Sequence, residues 1–223
     1  MRTSLLVVAA LAVSSRVHAQ STTSTLSPEQ RQRWQSNLQR ALERSNANDH
    51  TSALRLAQEA ATLQMTPRVR LFLAEEHEHL ALQPEGARHF VDAVREATAC
   101  VREATEQTTL SQRERVLHDC ATLRDRSAAH LGRVTLHITA VPPGLIVRLN
   151  GGALDASRYE EPVFFLPGPV ELDASAPAHE TIHQILTVVV GANTEVTLTL
   201  PERLVGPLAT PPPQGTGALI GTF

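Results

Sequence analysis

The spacing of apolar residues changes character once along this chain, beside Gly132. Before that point apolar positions recur every three or four residues, and after it they alternate one by one. These are the periods of a helix face and of a strand face. The pattern predicts an α+β chain in which all helices precede all strands.

Ser27-Pro28-Glu29-Gln30 opens the first helix, with serine as cap, proline in the first turn and Gln30 where a capping box needs it. Trp34, Leu38, Ala41, Leu42 and Ser45 form its stripe, and Asn46 to Asp49 breaks it. A second helix carries the small-residue stripe Ala53, Leu56, Ala57, Ala60 and Leu63, which lets a neighbour approach closely. Thr66-Pro67 ends that segment and caps a third helix presenting Val69, Phe72, Leu73, His77 and Leu80. After the turn at Pro84-Glu85-Gly86, a fourth helix from Ala87 aligns Phe90, Val91, Val94, Ala97 and Val101. A fifth, from about Leu110, aligns Val116, Leu117, Cys120, Leu123, Ser127 and Leu131, and Gly132 is placed to stop it.

Beyond Arg133 the alternation predicts strands at Val134 to Ala140, Leu145 to Leu149, Val163 to Leu166, Val170 to Ala174, Ile182 to Val190 and Glu195 to Leu200. Short strands separated by Pro, Gly and Asn turns within 70 residues imply a small antiparallel β-sandwich. The organisation read from the pattern is a signal peptide at 1–19, a polar leader at 20–26, a helical domain at 27–132, a β domain at 133–203 and a Pro/Gly-rich tail at 204–223.

Both halves carry residues with a family likeness. A shift of 34 residues lays Ala53, Ala57 and Ala60 onto Ala87, Val91 and Val94, and Leu38 onto Phe72. Thirty-four residues is the period of tetratricopeptide repeats, so the helical half resembles two such helix pairs closed by an extra helix. In the second half, Pro142-Pro143-Gly144-Leu145, the strand Ile146 to Leu149 and Asn150-Gly151 resemble the opening of a PEGA domain. Pro162, Leu166-Pro167-Gly168 and Val170-Glu171-Leu172 are similar to that family's later Pro…Leu-x-Pro-Gly element. The resemblance implies an immunoglobulin-like module without catalytic residues, joined to other envelope domains. The local chemistry agrees, since Asn150-Gly151 suits a tight hairpin with positive φ.

The ends bear on the compartment. Arg2, the nine-residue apolar run Leu5 to Val13 and the small residues Val17 and Ala19 have the order of a secretory signal, with a mature start expected near Gln20. The run is too short for a transmembrane anchor, which needs about 20 residues, and so is the terminal stretch Gly217 to Phe223. No transmembrane segment is expected in the mature chain. All 20 basic residues are arginine, which we read as the mark of a GC-rich bacterial genome. Removing Arg2 and Arg16 leaves 18 basic residues against 23 acidic ones and moves the formal charge from -3 to -5. That charge, with aromatics at 3%, argues against nucleic acid as a partner.

Three groups of residues could carry chemistry. Cys100 and Cys120 would enter an oxidising compartment, where a disulfide is allowed. With a turn near Glu106 to Leu110, however, they stand a few residues out of level, and a bridge and two buried thiols both remain open. His179-Glu180-Thr181-Ile182-His183 fits the His-Glu-x-x-His pattern of zinc hydrolases, with Glu202 as a third ligand. That chemistry needs a helix, whereas Pro177 and the β-branched run through Val190 favour a strand with Ile182, Leu186, Val188 and Val190 on one face and the histidines on the other. His77-Glu78-His79 diverge by 100° per residue on a helix, so they do not chelate one ion. With Glu75 and Glu76 they read as a solvated polar face, His77 being at most a stripe member.

The expectation is an exported, non-enzymatic envelope protein with no cofactor and no metal. Its helices would bind a protein or peptide partner, and its β module would act as spacer or as a contact to cell-wall polymer. The rivals are a zinc-dependent hydrolase using His179, Glu180 and His183, and a purely structural spacer.

Overall fold

A computed structural model describes residues 26–203. The expected signal peptide at 1–19, nearly all of the leader at 20–26 and the tail at 204–223 lie outside the described residues. Within them the fold is α+β, with five helices followed by two sheets.

The helices are α1 (Pro28–Asn46), α2 (His50–Leu63), α3 (Pro67–Ala81), α4 (His89–Glu106) and α5 (Arg113–Ala128). Local chemistry sets the first three starts. Ser27 and Gln30 complete a reciprocal capping box, Asp49 accepts from the Ser52 amide, and Thr66 accepts from the Val69 amide, each satisfying an otherwise orphaned donor. The helix-two stripe is as small as expected. Ala53, Ala57 and Ala60 are fully buried, α1 and α3 both pack on α2, and the Trp34 indole N–H fastens α1 to the Gln64 carbonyl at 2.9 Å.

Three boundaries differ from the sequence reading. Helix α4 begins at His89 rather than Ala87, because Glu85 takes a left-handed φ of 62° and the turn continues through Gly86. A Cβ at Gly86 would lie 1.9 Å from the Leu80 carbonyl oxygen, so only glycine lets the chain pass this close. Helix α5 begins after Gln112, whose φ of 55° breaks the run from Leu110. Gly132 does not cap α5, which ends at Ala128. It opens the first strand instead, where a Cβ would stand 2.4 Å from the Val189 carbonyl oxygen.

The strands are β1 (Gly132–Ile138), β2 (Ile146–Leu149), β3 (Gly152–Leu154), β4 (Val163–Phe165), β5 (Gly168–Ser175), β6 (Ile182–Val188) and β7 (Asn193–Leu198). They form a sheet in the order β4-β1-β7 and a second in the order β3-β2-β5-β6. The inward residues of both sheets make one apolar core, including Val134, Leu136, Val147, Leu172, Val188 and Leu198. Asn150 and Gly151 close the β2–β3 hairpin with φ of 49° and 77°, the left-handed pair a two-residue turn requires.

Two expectations about the sheets are corrected. The strands are not all antiparallel, for β1 runs parallel to β7 with Val134 beside Thr194 and Ile138 beside Leu198. A parallel pair needs a long crossover, which β2 to β6 supply. Val190 does not join the inward face, because β6 ends at Val188 and leaves it 51% exposed. The halves meet where Leu131, between α5 and β1, packs with Ala81, Phe90, Val94 and Phe164 of β4.

Candidate functional site

Helix α3 is flanked by α2 on one side and by α4 and α5 on the other. A helix enclosed on several sides buries most of its circumference, whatever its residues. The solvated polar face expected at Glu75 to His79 holds for the exposed Glu75 and His79 but is corrected between them: Glu76, His77 and Glu78 are buried, at 1%, 6% and 8% exposure, with His77 the stripe member the pattern allowed. Every buried side-chain nitrogen or oxygen among the described residues has a partner, as burial in a low dielectric demands.

Because successive side chains leave the helix 100° apart, each finds a different partner. Glu76 accepts from the Ser45 hydroxyl at 2.6 Å and faces the His50 ring nitrogen at 2.9 Å, which ties α1 and α2 to α3. His79 stacks on His50 with ring centroids 4.3 Å apart. Glu78 accepts from the Arg126 guanidinium and from the Ser127 hydroxyl, tying α3 to α5. About two turns earlier, Arg70 pairs with Glu96 at 2.8 Å and Glu103 at 2.6 Å on α4.

His77 turns toward α4. Its Nδ1 lies 3.0 Å from the Nδ1 of His89 and 4.0 Å from Asp92 Oδ2. Asp92 Oδ1 accepts from Arg95 at 2.7 Å. Burial holds the His77 imidazole below its ordinary pKa; Asp92 works against that shift, while His89 and Arg95 add to it. Among the described residues, His77, His89 and Asp92 bring three ligand atoms within 4.8 Å of one another. The sequence reading rightly separated His77 from His79 but did not pair His77 with the next helix. Two signals were available: His89 and Asp92 share a face at i, i+3, and His77 and His89 flank the turn between α3 and α4.

The His-Glu-x-x-His segment is extended. Residues from Ile182 onward form β6, and His179 pairs with Glu202 through a single backbone bridge. His183 is exposed and hydrogen-bonded to Asp173 at 2.7 Å, which raises its pKa through the hydrogen bond and the carboxylate charge. The one helical face needed to converge both imidazoles on an ion does not exist there.

Cys100 and Cys120 are joined by a disulfide, with Cα atoms 6.1 Å apart. The expected misalignment is absent because the connection between α4 and α5 spans residues 107–112, which centres the hairpin close to Leu110. A groove of about 340 Å³ runs between α3 and α5. Leu71, Phe72 and Val116 form its apolar floor, with Arg68, Arg115, Glu75 and Asp119 around them. Although Glu75 is exposed overall, local desolvation and then the charges of Glu76 and Asp119 raise its pKa.

No protein-family model matches the chain, and no curated protein matches it.

Proposed function

We propose that the chain is a non-catalytic interaction protein of the bacterial envelope, whose helical half binds a protein or peptide partner in the α3–α5 groove. The groove is the observation that carries this reading, since it combines an apolar floor with charges of both signs along an open channel. Such a surface suits a short amphipathic segment, whose apolar side chains fill the floor while its charges meet Arg68, Arg115 and Asp119. It is also preformed, because the disulfide and the Arg68 hydrogen bond to the Ser111 carbonyl fix the α5 wall.

The tetratricopeptide-like reading is supported by the packing of α1 with α2 and of α3 with α4, α5 then covering α4. The immunoglobulin-like, PEGA-like reading is supported by two sheets sharing one core and by the turns at Gly144 and Asn150-Gly151. In this proposal the β module serves as spacer, or as the contact to cell-wall polymer, and export follows from the signal-like first 19 residues.

Affinity capture from envelope fractions tests the reading with three full-chain proteins: wild type, Arg68→Glu/Arg115→Glu, and Ile185→Asp on the β module. A defined protein retained by wild type and Ile185→Asp but lost with the double reversal is the expected result. Identical retention by all three overturns the groove as the binding surface.

A further inference from the structure

We propose that His77, His89 and Asp92 form a binding site for one divalent transition cation of the zinc class, in the seam between α3 and α4. This goes beyond the partner-binding reading and does not depend on it.

Ligand chemistry comes first. Two imidazoles and one carboxylate are a borderline donor set, which selects zinc, cobalt, nickel or copper over the oxygen-seeking calcium and magnesium. Three protein ligands leave room for water or a further group, as in zinc sites with three protein donors.

The distances fit. At metal–nitrogen bonds of about 2.0–2.1 Å, nitrogens subtending between a right angle and a tetrahedral angle stand roughly 2.9–3.3 Å apart. His77 Nδ1 and His89 Nδ1 stand 3.0 Å apart. Asp92 Oδ2 is 4.0 Å from His77 Nδ1, about 0.7 Å beyond that range. Its side chain is 30% exposed, and a small rotation about its carboxylate carbon would close that gap. Arg95 engages the other carboxylate oxygen, so Oδ2 is left for the ion, and the outer contact orients the ligand as such contacts do in metal centres.

The fold sets this geometry. His89 and Asp92 sit three residues apart on the first turn of α4, and His77 is fixed on the buried face of α3. The intervening turn holds them in place through the Gly86 passage under Leu80 and the His89 amide bond to the Gly86 carbonyl at 2.8 Å. The positive end of α4 and the Arg95 charge oppose a cation. Asp92 and Glu96, which both pair with Arg95, offset that opposition. His89 and Asp92 are both partly exposed, which leaves the seam open to an ion from solvent.

The test uses full-chain protein without a polyhistidine tag, stripped by a chelator and titrated with Zn²⁺ by calorimetry. One ion per chain is expected, with a Kd at or below micromolar. Zinc-edge absorption spectroscopy on that complex should count two imidazoles. His89→Ala and Asp92→Asn, checked for native circular dichroism, should each weaken binding by about 10-fold or more, whereas His183→Ala should leave it unchanged. Absence of stoichiometric binding by wild type overturns the proposal, as does a site that survives His89→Ala or shows no imidazole in the spectrum. The wild-type measurements decide the matter even where a variant fails to fold.

Discussion

The two halves of this protein build their interiors from different materials. The sheet half has an interior of large aliphatics such as Leu136, Leu172, Val188 and Leu198, and none of the buried polar side chains among the described residues belongs to it. The helical half interleaves leucines and valines such as Leu56, Leu73 and Val94 with many buried alanines, among them Ala53, Ala57, Ala74, Ala93 and Ala97. Among the described residues it also holds all the buried polar side chains: Asn37, Glu76, His77, Glu78 and Ser127. Alanine buries little area, and hydrophobic stabilisation scales with area. A core with so large a share of alanine depends more on directional contacts and on its covalent bond than a core of leucines and valines alone does. The difference teaches that specificity in the first half resides in hydrogen bonds and charge pairs, and in the second half in shape and volume.

Substitutions can break this contrast. The largest effect is expected in the sheets, where Leu172 is fully buried. Leu172→Ala should cost about 2–5 kcal/mol by leaving a cavity, read as a lower urea midpoint with amide protection lost first from the strands. Next comes removal of the disulfide, which closes a loop over a separation of 20 residues. Cys100→Ser/Cys120→Ser should cost about 3 kcal/mol, with exchange accelerating in α4 and α5 and strand protection unchanged. Loss of protection across both halves would show that they are not separable in this way.

A smaller effect is expected from the polar seam. Ser45→Ala removes a hydrogen bond to the buried Glu76 carboxylate, and bonds to charged groups contribute about 1.5–3 kcal/mol. A urea midpoint unchanged from wild type would show that the seam is packing filler, not a specificity device.

The smallest is a pH effect on the sheet surface. Asp173 raises the His183 pKa in the folded protein above 6.5, so the folded state binds that proton more tightly than the unfolded chain does. The stabilising contribution is then complete below 6.5 and fades as pH climbs through the raised value. Proton NMR of the His183 ring should give a midpoint above 6.5 that returns toward it in Asp173→Asn. A wild-type midpoint at or below 6.5 would contradict the pair.

The same contrast explains how much was legible in the sequence. Periodicity reports apolar faces, so five helices, the caps at Ser27 and Thr66 and six of the strands could be read from residues such as Ser27, Thr66, Leu136 and Leu172. The short strand Gly152–Leu154 has too few residues to alternate visibly. Neither the parallel β1–β7 pairing nor the burial of Glu76 to Glu78 is a local property. Both arise from which elements pack together, and a polar residue inside a bundle has the same one-dimensional pattern as one in solvent. For that reason the His77, His89 and Asp92 cluster escapes the apolar pattern, while His179-Glu180-x-x-His183 matches a motif without the backbone to support it.

The central functional claim is that a partner lies along α3 and α5. A photo-reactive phenylalanine analogue placed at Phe72, in the groove floor, and separately at the exposed Ile185 of the β module, addresses it in the living cell. One discrete protein adduct is expected from position 72, lost with Arg68→Glu/Arg115→Glu, and none from position 185. A folded protein giving no adduct at 72, or the same adduct at both positions, would contradict it.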